Sequence, residues 1–265
     1  MTIKANHKEK ATAVRNTWSK RCDSVIFFTS DQDPSFANSS LVILNVTQGR
    51  NFLWEKTRAA FLHLEEYYGD EFDWFLKSDD DTYFIMENLR SFLSNHDPNA
   101  LVWFGCELVH HTSKQHFPSG GAGYVLSRGA IKAFAETVFN ETQNLTSHSD
   151  QVSNKSSKSI RGCGLDGGSM GEDVRFSVCL ESAGVKLIDA QGPNDTYRFL
   201  PTMLEHFVYP ERNGGNAWMT MYRSKHGQGI QNCCDRRLIS IHYAHPKLMY
   251  VYEFLIYHLK FGNLL

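Results

Sequence analysis

The sequence predicts an α/β domain in which helices flank a central, mostly parallel sheet. Short apolar runs of strand type alternate with longer segments of helical periodicity along most of the chain. The 265 residues, 42% of them hydrophobic, can bury the core of one large domain. A cluster of carboxylates directly follows one apolar run, and ligands of open α/β sheets bind beyond the carboxyl ends of strands.

Strands are expected at runs rich in β-branched and aromatic residues. In chain order these runs are Val25–Thr29, Leu41–Leu44, Trp74–Lys77, Leu101–Gly105, Val185–Ile188 and Ile239–His242. Helices are expected where apolar residues recur at helical spacing. These segments are Ala11–Trp18, Asn51–Tyr68, Met86–Leu93, Ala130–Phe139, Gly171–Ala183 and His245–Leu259. The resulting strand–helix alternation is typical of a sheet built from crossover connections.

Two segments lack either periodicity. Residues 140–168 are rich in Ser, Asn and Gly and predict a long variable insertion after the fourth helix. Pro210–Asn232 is irregular. Neither segment reads as a linker and no internal repeat is present, so residues 1–265 are predicted to form a single domain.

The composition of the chain indicates which binding partners and which cellular compartment it is suited to. The formal net charge of -2 argues against bulk attraction to nucleic acid or an anionic membrane. No apolar run is long enough to span a bilayer, and no secretory signal starts at Met1. Six cysteines and six sequons indicate the lumen of the secretory pathway, the alternative being a cytosolic protein with reduced thiols. The sequons begin at Asn38, Asn45, Asn140, Asn144, Asn154 and Asn194.

The carboxylate cluster is the most informative motif. Asp79, Asp80 and Asp81 follow the buried run Trp74–Lys77. Three adjacent carboxylates repel one another unless a cation lies among them, so the cluster predicts a divalent metal site facing a phosphorylated substrate. A solvated acidic turn, or carboxylates drawn to a helix N-terminus, is the alternative.

Further candidates each have a structural alternative. Glu172 and Asp173 open a helix and either provide a general base or complement the helix dipole. His242 ends a strand and is either a core residue or a metal ligand, because imidazole with carboxylate suits an ion such as Mn²⁺. The run Gly120–Gly123 either lets the backbone approach a ligand or forms a tight turn.

Three basic residues could contact a nucleotide. Lys56 and Lys77 either neutralise phosphate or lie on the surface. Arg15, together with Trp18, either holds a planar base or only packs.

Seven segments occur together in one known family. They resemble, in this order, segments of the core 1 β1,3-galactosyltransferases, which are relatives of fringe and other β1,3-glycosyltransferases. The segments are Arg15–Trp18, Trp54–Thr57, Trp74–Tyr83, Ser119–Ser127, Gly171–Val174, Cys233–Asp235 and Ile241–Tyr243. The similarity extends from Asn6 to Gly262.

The resemblance implies a GT-A-type glycosyltransferase fold and a type II Golgi membrane enzyme, whose membrane anchor lies outside this chain and which is commonly a disulfide-containing homodimer. The implied reaction is the inverting transfer of galactose from UDP-galactose to O3 of GalNAc on Ser or Thr of glycoproteins. The implied cofactor is Mn²⁺.

The resemblance also implies roles for individual residues. Asp173 is the catalytic base, and Asp81 and His242 are the metal ligands. The donor site comprises Arg15, Lys56, Lys77, Asp79, Asp80, Asp81 and Glu172. The acceptor contacts are Gly121, Tyr124, Trp218 and Tyr222. Six cysteines allow many pairings, of which Cys163 with Cys179 is the predicted one, closing the segment around Asp173.

Departures from the family pattern leave the acceptor open. Residues 107–111 and 216–225 differ from the usual aromatic and basic pattern, and the insertion at 140–168 is longer than typical. A sibling β1,3-glycosyltransferase with another acceptor is therefore one alternative. A non-catalytic, chaperone-like relative is a second, disfavoured because the acidic triplet, Asp173 and His242 are all present. A calcium-binding lectin-like module is a third, but the sequence lacks the EF-hand ligand pattern.

Overall fold

A computed structural model describes residues 1–36, 40–147, 162–165, 170–208 and 233–260 and confirms the α/β class. The strands are β1 (Phe27–Thr29), β2 (Leu41–Ile43), β3 (Trp74–Lys77), β4 (Tyr83–Phe84), β5 (Val102–Gly105), β6 (Glu107–Val109), β7 (His116–Pro118), β8 (Tyr124–Ser127), β9 (Lys186–Asp189), β10 (Phe199–Leu200) and β11 (Ser240–Ile241). The helices are α1 (Lys4–Asn6), α2 (Thr12–Asn16), α3 (Leu53–Tyr68), α4 (Met86–Leu93), α5 (Arg128–Ser147), α6 (Glu172–Ser182), α7 (Glu205–Val208) and α8 (Pro246–Tyr257). A π-helical stretch, His7–Ala11, joins α1 to α2.

The main sheet has the order β3-β8-β5-β9 and is mixed, which corrects the expectation of a mostly parallel sheet. Strand β8 is antiparallel to both β3 and β5, whereas β5 and β9 are parallel. The reason is the connection from β5 to β8. It runs through the hairpin β6–β7 and a glycine turn without a helix, and only a long crossover can return a chain parallel to its start.

Both faces of the main sheet are covered, as successive residues of β8 show. Tyr124 and Leu126 pack against α3, α5 and α6, in a cluster with Trp103 and Phe176. Val125 points to the opposite face, into the cluster that contains the buried residues of α4. Because side chains alternate along a strand, one apolar run supplies both cores. The sheet is thereby held rigidly at the level of its strand ends.

A smaller sheet brings two distant segments together. Strand β11 is antiparallel to β4, with Ile241 opposite Tyr83, and parallel to β10. The backbone amide of Ala244 also donates to the carbonyl of Asp81 at 2.8 Å. Asp81 precedes β4 and His242 follows β11, so this pairing sets the two residues at the same end of the sheet.

Several element boundaries differ from the sequence-based expectation. Helix α5 continues to Ser147, beyond the expected end at Phe139, so the insertion predicted at 140–168 begins within a helix. Nothing in residues 140–147 breaks a helix, since they contain neither Gly nor Pro. Strands β4, β6, β7, β8 and β10 were not expected, because runs of two to four residues carry no clear periodicity. Within the described ranges, no helix is long and apolar enough to cross a membrane.

The predicted disulfide is present. Cys163 is bonded to Cys179 of α6, across a sequence separation of 16. Cys233 and Cys234 are also joined, whereas Cys22 and Cys106 are free thiols. Both cysteines of the Cys163–Cys179 bond are fully buried. The bond therefore fixes the segment that precedes α6 against the core.

Removing this cross-link should destabilise the fold. The double variant Cys163→Ser, Cys179→Ser is expected to lose about 3 kcal/mol of unfolding free energy, because a cross-link over a loop of this length restricts the unfolded chain. Urea denaturation followed by circular dichroism measures the loss. Cys22→Ser, which removes a free thiol, is the control. Equal midpoints for the double variant and the wild type would contradict a stabilising role.

Candidate active site

The three carboxylates of the acidic triplet face different partners. Asp79 Oδ1 lies 2.9 Å from Lys77 Nζ. Asp80 is buried and accepts hydrogen bonds from the Thr2 hydroxyl at 2.7 Å and the Asn6 side chain at 3.0 Å. Asp81 lies 3.1 Å from Lys10 Nζ through one oxygen and 3.6 Å from His242 Nε2 through the other. The three carboxylates therefore differ in their partners, and Asp79 and Asp81 belong to one group of ligand atoms.

Asp79, Asp81 and His242 form a group suited to a metal ion. One ligand atom from each lies within 4.8 Å of the others. His242 Nδ1 lies 3.1 Å from the carbonyl of Pro201, which can only accept, so Nδ1 carries the proton. In the neutral ring, Nε2 then presents a lone pair on the side of Asp81. Two carboxylates and one oriented imidazole match the donor set that Mn²⁺ and similar ions take.

The pKa of Asp81 reflects its neighbours. Burial acts to raise this pKa, but hydrogen bonds and charge from the protonated form of His242 and from Lys10 outweigh burial and lower it to about 2. The carboxylate is therefore ionised at any physiological pH. An anionic oxygen is what a hard divalent cation requires from this position.

Gly121 is the reason His242 can occupy its place. A Cβ added at Gly121 would lie 2.0 Å from His242 Cε1 and 2.5 Å from each ring nitrogen. No side-chain adjustment at position 121 can relieve such a contact, because the Cβ position is fixed by the backbone. The glycine therefore keeps the floor of the site open for the imidazole.

The variant Gly121→Ala should displace His242 and weaken metal binding. We expect about a 10–100-fold loss of Mn²⁺ affinity, the range found when the orientation of a ligand is disturbed. Titration of Mn²⁺ monitored by electron paramagnetic resonance measures this directly. The control is Gly184→Ala at an exposed turn, where the added Cβ would only touch Leu101 at 3.9 Å but the left-handed φ of 76° strains the backbone, so this variant controls for a general loss of stability. Unchanged metal affinity in Gly121→Ala would show that His242 does not bind the ion.

A second pair of carboxylates lies at the start of α6. The Asp173 carboxylate accepts from the Gly120 amide at 3.0 Å. The Glu172 carboxylate accepts from the Tyr124 hydroxyl at 2.7 Å. Burial raises the pKa of both carboxyl groups above the ordinary range, although Lys77 acts in the opposite direction on each. A carboxylate with a raised pKa is a stronger base, which suits it to remove a proton from a hydroxyl group.

Lys77 connects the two carboxylate groups. Its ammonium lies 2.9 Å from Asp79 Oδ1 and 3.9 Å from Glu172 Oε2, and it donates to the Gly120 carbonyl at 3.0 Å. Burial acts to lower the pKa of Lys77, but the surrounding carboxylates raise it above its ordinary value. The buried charge is therefore retained, and it compensates part of the negative charge of the site.

The turn Gly120–Gly121 contacts both clusters. On one side Gly120 binds Asp173 through its amide and Lys77 through its carbonyl. On the other side Gly121 lies against His242, and its carbonyl accepts from the Thr82 hydroxyl at 2.7 Å. The candidate base and the candidate cation site are thus in contact with the same turn. Such an arrangement can place a hydroxyl group and a phosphorylated leaving group on opposite sides of a sugar carbon that lies between them.

The remaining sequence-predicted residues are placed as follows. Arg15 lies 5.0 Å over the ring of Phe36 and, among the described residues, makes no ion pair with the acidic triplet. Lys56 is buried and donates to the Thr2 carbonyl at 2.6 Å, with its pKa lowered by burial. Trp18 is buried and packs on Phe84 rather than facing a ligand.

The predicted acceptor contacts are only partly described. Gly121 lies at the site, against His242. Tyr124 is fully buried, so in this structure its side chain acts through Glu172 and has no open surface for a ligand. Trp218 and Tyr222 lie outside the described residues.

Two residues at the site were not expected from the sequence. Lys10 contacts Asp81 across a sequence separation of 71, and Thr82 supports the glycine turn. Thr82 could have been noticed, since it follows the triplet directly. No local pattern marks Lys10, because it is one of several basic residues in the first helical segment.

Comparison of the sequence with known proteins finds a matching family and several relatives. The Fringe-like family matches residues 1–161, more than half of the chain. Glycoprotein-N-acetylgalactosamine 3-beta-galactosyltransferase 1 of Xenopus laevis is 33% identical over 261 residues, which is 98% of this chain and 65% of that protein. The chain thus spans less than two thirds of the length of this relative.

Two further relatives cover about half of this chain. Chondroitin sulfate synthase 3 of Mus musculus is 24% identical over 50% of this chain and 17% of that protein. Beta-1,3-glucosyltransferase of Mus musculus is 26% identical over 49% of this chain and 27% of that protein. The chain belongs to the Fringe-like family and has the GT-A-type α/β fold predicted from its sequence.

Proposed function

We propose that this chain is an inverting, Mn²⁺-dependent β1,3-galactosyltransferase. It transfers galactose from UDP-galactose to O3 of GalNAc linked to Ser or Thr of glycoproteins. The observation that carries the proposal is the glycine turn that contacts Asp173 on one side and His242 on the other. The similarity to the Xenopus laevis galactosyltransferase over 98% of this chain supports the choice of donor and acceptor.

The residues of the cation site suit the proposed cofactor. Asp81 and His242 would hold the ion, and Asp79 is close enough to assist. When bound, Mn²⁺ would neutralise charge on the diphosphate of the departing nucleotide. Lys77, which is buried between the two carboxylate groups, compensates charge on the same side of the site.

Asp173 acts as the general base in this proposal. Its carboxylate removes the proton of the acceptor hydroxyl, whose oxygen forms a bond to the anomeric carbon as the bond from that carbon to the UDP oxygen breaks. The proton remains on Asp173 and the bonding pair leaves with UDP. Attack from the face opposite the leaving group inverts the configuration, so no nucleophilic Ser or Cys is needed. Glu172, held by Tyr124, orients the start of α6.

The proposal includes a cellular setting. A Golgi-luminal enzyme that is a type II membrane protein fits the disulfides and the sequons. Among the described sequons, Asn45, Asn140 and Asn194 are exposed. We further propose that residues 1–265 form one catalytic domain, and that the full-length protein is a homodimer.

One assay tests the function. UDP-galactose is incubated with a GalNAcα-Thr peptide, with Mn²⁺ or after chelation, and the product linkage is determined by nuclear magnetic resonance. We expect a β1,3-linked disaccharide whose formation stops on chelation and resumes when Mn²⁺ is restored.

The other outcomes discriminate the alternatives. Hydrolysis of UDP-galactose without transfer to the peptide would show that this peptide is not the acceptor. It would favour a sibling β1,3-glycosyltransferase that acts on another acceptor. Absence of UDP binding with Mn²⁺ present would refute the enzyme and favour a non-catalytic, chaperone-like relative. Transfer that persists in the chelated protein would refute the role of the cation.

A further inference from the structure

Lys10 lies inside the cation site although no feature of the sequence marks it. Its ammonium is 3.1 Å from Asp81 Oδ2 and 3.7 Å from Asp80 Oδ1. The side chain is about one third exposed, so it reaches the site from the open side. His242 approaches the other oxygen of Asp81. Both oxygens of Asp81 therefore face a nitrogen, and one of these nitrogens carries a permanent positive charge.

The position of Lys10 is built by the fold. The chain before it is fixed to the core because Thr2 and Asn6 both donate to Asp80, and Lys56 donates to the Thr2 carbonyl. Lys10 itself lies on the π-helical stretch His7–Ala11. Such irregular turns within helices are frequent at functional sites, where they redirect a side chain. Asp80, predicted as a donor-site residue, is thus placed as an anchor for the segment that delivers Lys10.

We propose that Lys10 is a resident counter-ion of Asp81: it competes with the divalent cation for this carboxylate and transfers to the nucleotide diphosphate when donor and cation bind together. The inference rests on the function proposed above and adds a residue that links cation binding to donor binding.

The charges explain why the two ligands should be coupled. A divalent cation at Asp81 would lie within a few ångströms of the Lys10 ammonium, and like charges at that distance repel. Binding of the cation alone therefore requires Lys10 to give up its ion pair with no replacement. A diphosphate provides that replacement, since it accepts charge-assisted hydrogen bonds from an ammonium. The flexible lysine stem allows the movement without a change in the backbone.

The test measures Mn²⁺ binding without any turnover. Free Mn²⁺ is titrated by electron paramagnetic resonance against the wild type, Lys10→Met, Lys10→Gln, Lys10→Arg and Lys8→Met, first without nucleotide and then with UDP. Lys8 is exposed on the same helical stretch and serves as the matched control. Two neutral variants of Lys10 are included so that a folding defect in one does not decide the result.

Without nucleotide, both neutral variants should bind Mn²⁺ about three- to tenfold more tightly than the wild type, because one positive charge has been removed from a partly exposed pair. Lys10→Arg and Lys8→Met should match the wild type. With UDP present, the factor by which the nucleotide raises Mn²⁺ affinity should be smaller in the neutral variants, since their coupling has been reduced.

Two other results have distinct meanings. Equal or weaker Mn²⁺ binding by both neutral variants in the absence of nucleotide would overturn the counter-ion role and leave the proposed transferase intact. Absence of Mn²⁺ binding by every protein, even with UDP, would overturn the cation site and with it the proposed function.

Discussion

Replacing Asp173 with asparagine should reduce galactosyl transfer by about 10²–10⁴-fold, the usual contribution of general acid–base catalysis. The amide is nearly isosteric, and its oxygen can still accept the hydrogen bond from the Gly120 amide. It cannot take up the proton of the acceptor hydroxyl. Affinity for UDP, measured by isothermal titration calorimetry with Mn²⁺ present, should therefore change little while the turnover number falls.

The neighbouring carboxylate is the natural comparison. Glu172 accepts from Tyr124 and lies near Lys77, so Glu172→Gln changes the charge around the base without removing the base itself. Its effect on turnover should be smaller than that of Asp173→Asn. The reverse order would reassign the base to Glu172, and full activity in Asp173→Asn would refute the assignment outright.

The pH profile gives an independent check on the same residue. Burial raises the pKa of Asp173, and a base works only when it is deprotonated. As the pH falls through this raised pKa, kcat/KM should decline at a higher pH than for an ordinary aspartate. The residual activity of Asp173→Asn should lack this acidic decline, because the group that causes it is gone.

Asp81→Asn is expected to have the second large effect. The variant replaces an anionic ligand by a neutral amide, while the backbone carbonyl of Asp81 still accepts from Ala244. Loss of a direct ligand should weaken Mn²⁺ binding by more than about 100-fold, since disturbing an outer partner of a ligand already costs about 10–100-fold. Mn²⁺ titration and the rate of transfer at fixed Mn²⁺ should fall together.

A substitution at an exposed aspartate is the control for Asp81→Asn. Asp70 is 94% exposed and pairs with Lys132, so Asp70→Asn removes the same charge at the surface, outside the predicted site. It should leave metal affinity and transfer unchanged. Partial rescue of Asp81→Asn by excess Mn²⁺ would agree with a weakened site, whereas wild-type affinity in Asp81→Asn would remove Asp81 from the ligand set.

Local sequence pattern predicted most of the fold. The runs Trp74–Lys77 and Leu101–Gly105 contain strands β3 and β5 of the main sheet, and Asn51–Tyr68 contains α3, because burial on a regular element leaves a periodic pattern. Strand β8 was not predicted, so the antiparallel direction that it brings to the main sheet was missed. Strand direction depends on whether a helix or a turn precedes the strand, and β6 and β7 were too short to be recognised.

The residues of the site could be predicted where adjacent side chains form a recognisable chemical pattern. They could not be predicted where their placement depends on tertiary packing. Carboxylate and imidazole chemistry linked His242 to the acidic triplet, and the family resemblance singled out Asp81. The structure places Asp81 and His242 within 3.6 Å of each other. The different environment of Asp80 could not be predicted, since three identical residues in a row give no indication of which way each side chain points. The same holds for Lys10, because contacts between residues far apart in the sequence, such as those of Thr2 and Asn6 with Asp80, bring it to the triplet.

The bond between Cys163 and Cys179 has a practical consequence for anyone producing this protein. It holds the chain against the helix whose first turn carries Asp173. In protein made in a reducing bacterial cytoplasm, this disulfide would not form, and the first turn of α6 would lose the cross-link. A low rate of transfer would then be attributed wrongly to the lack of the right sugar acceptor. Secretion into an oxidising compartment, or an oxidising host strain, should precede any screen of sugar acceptors.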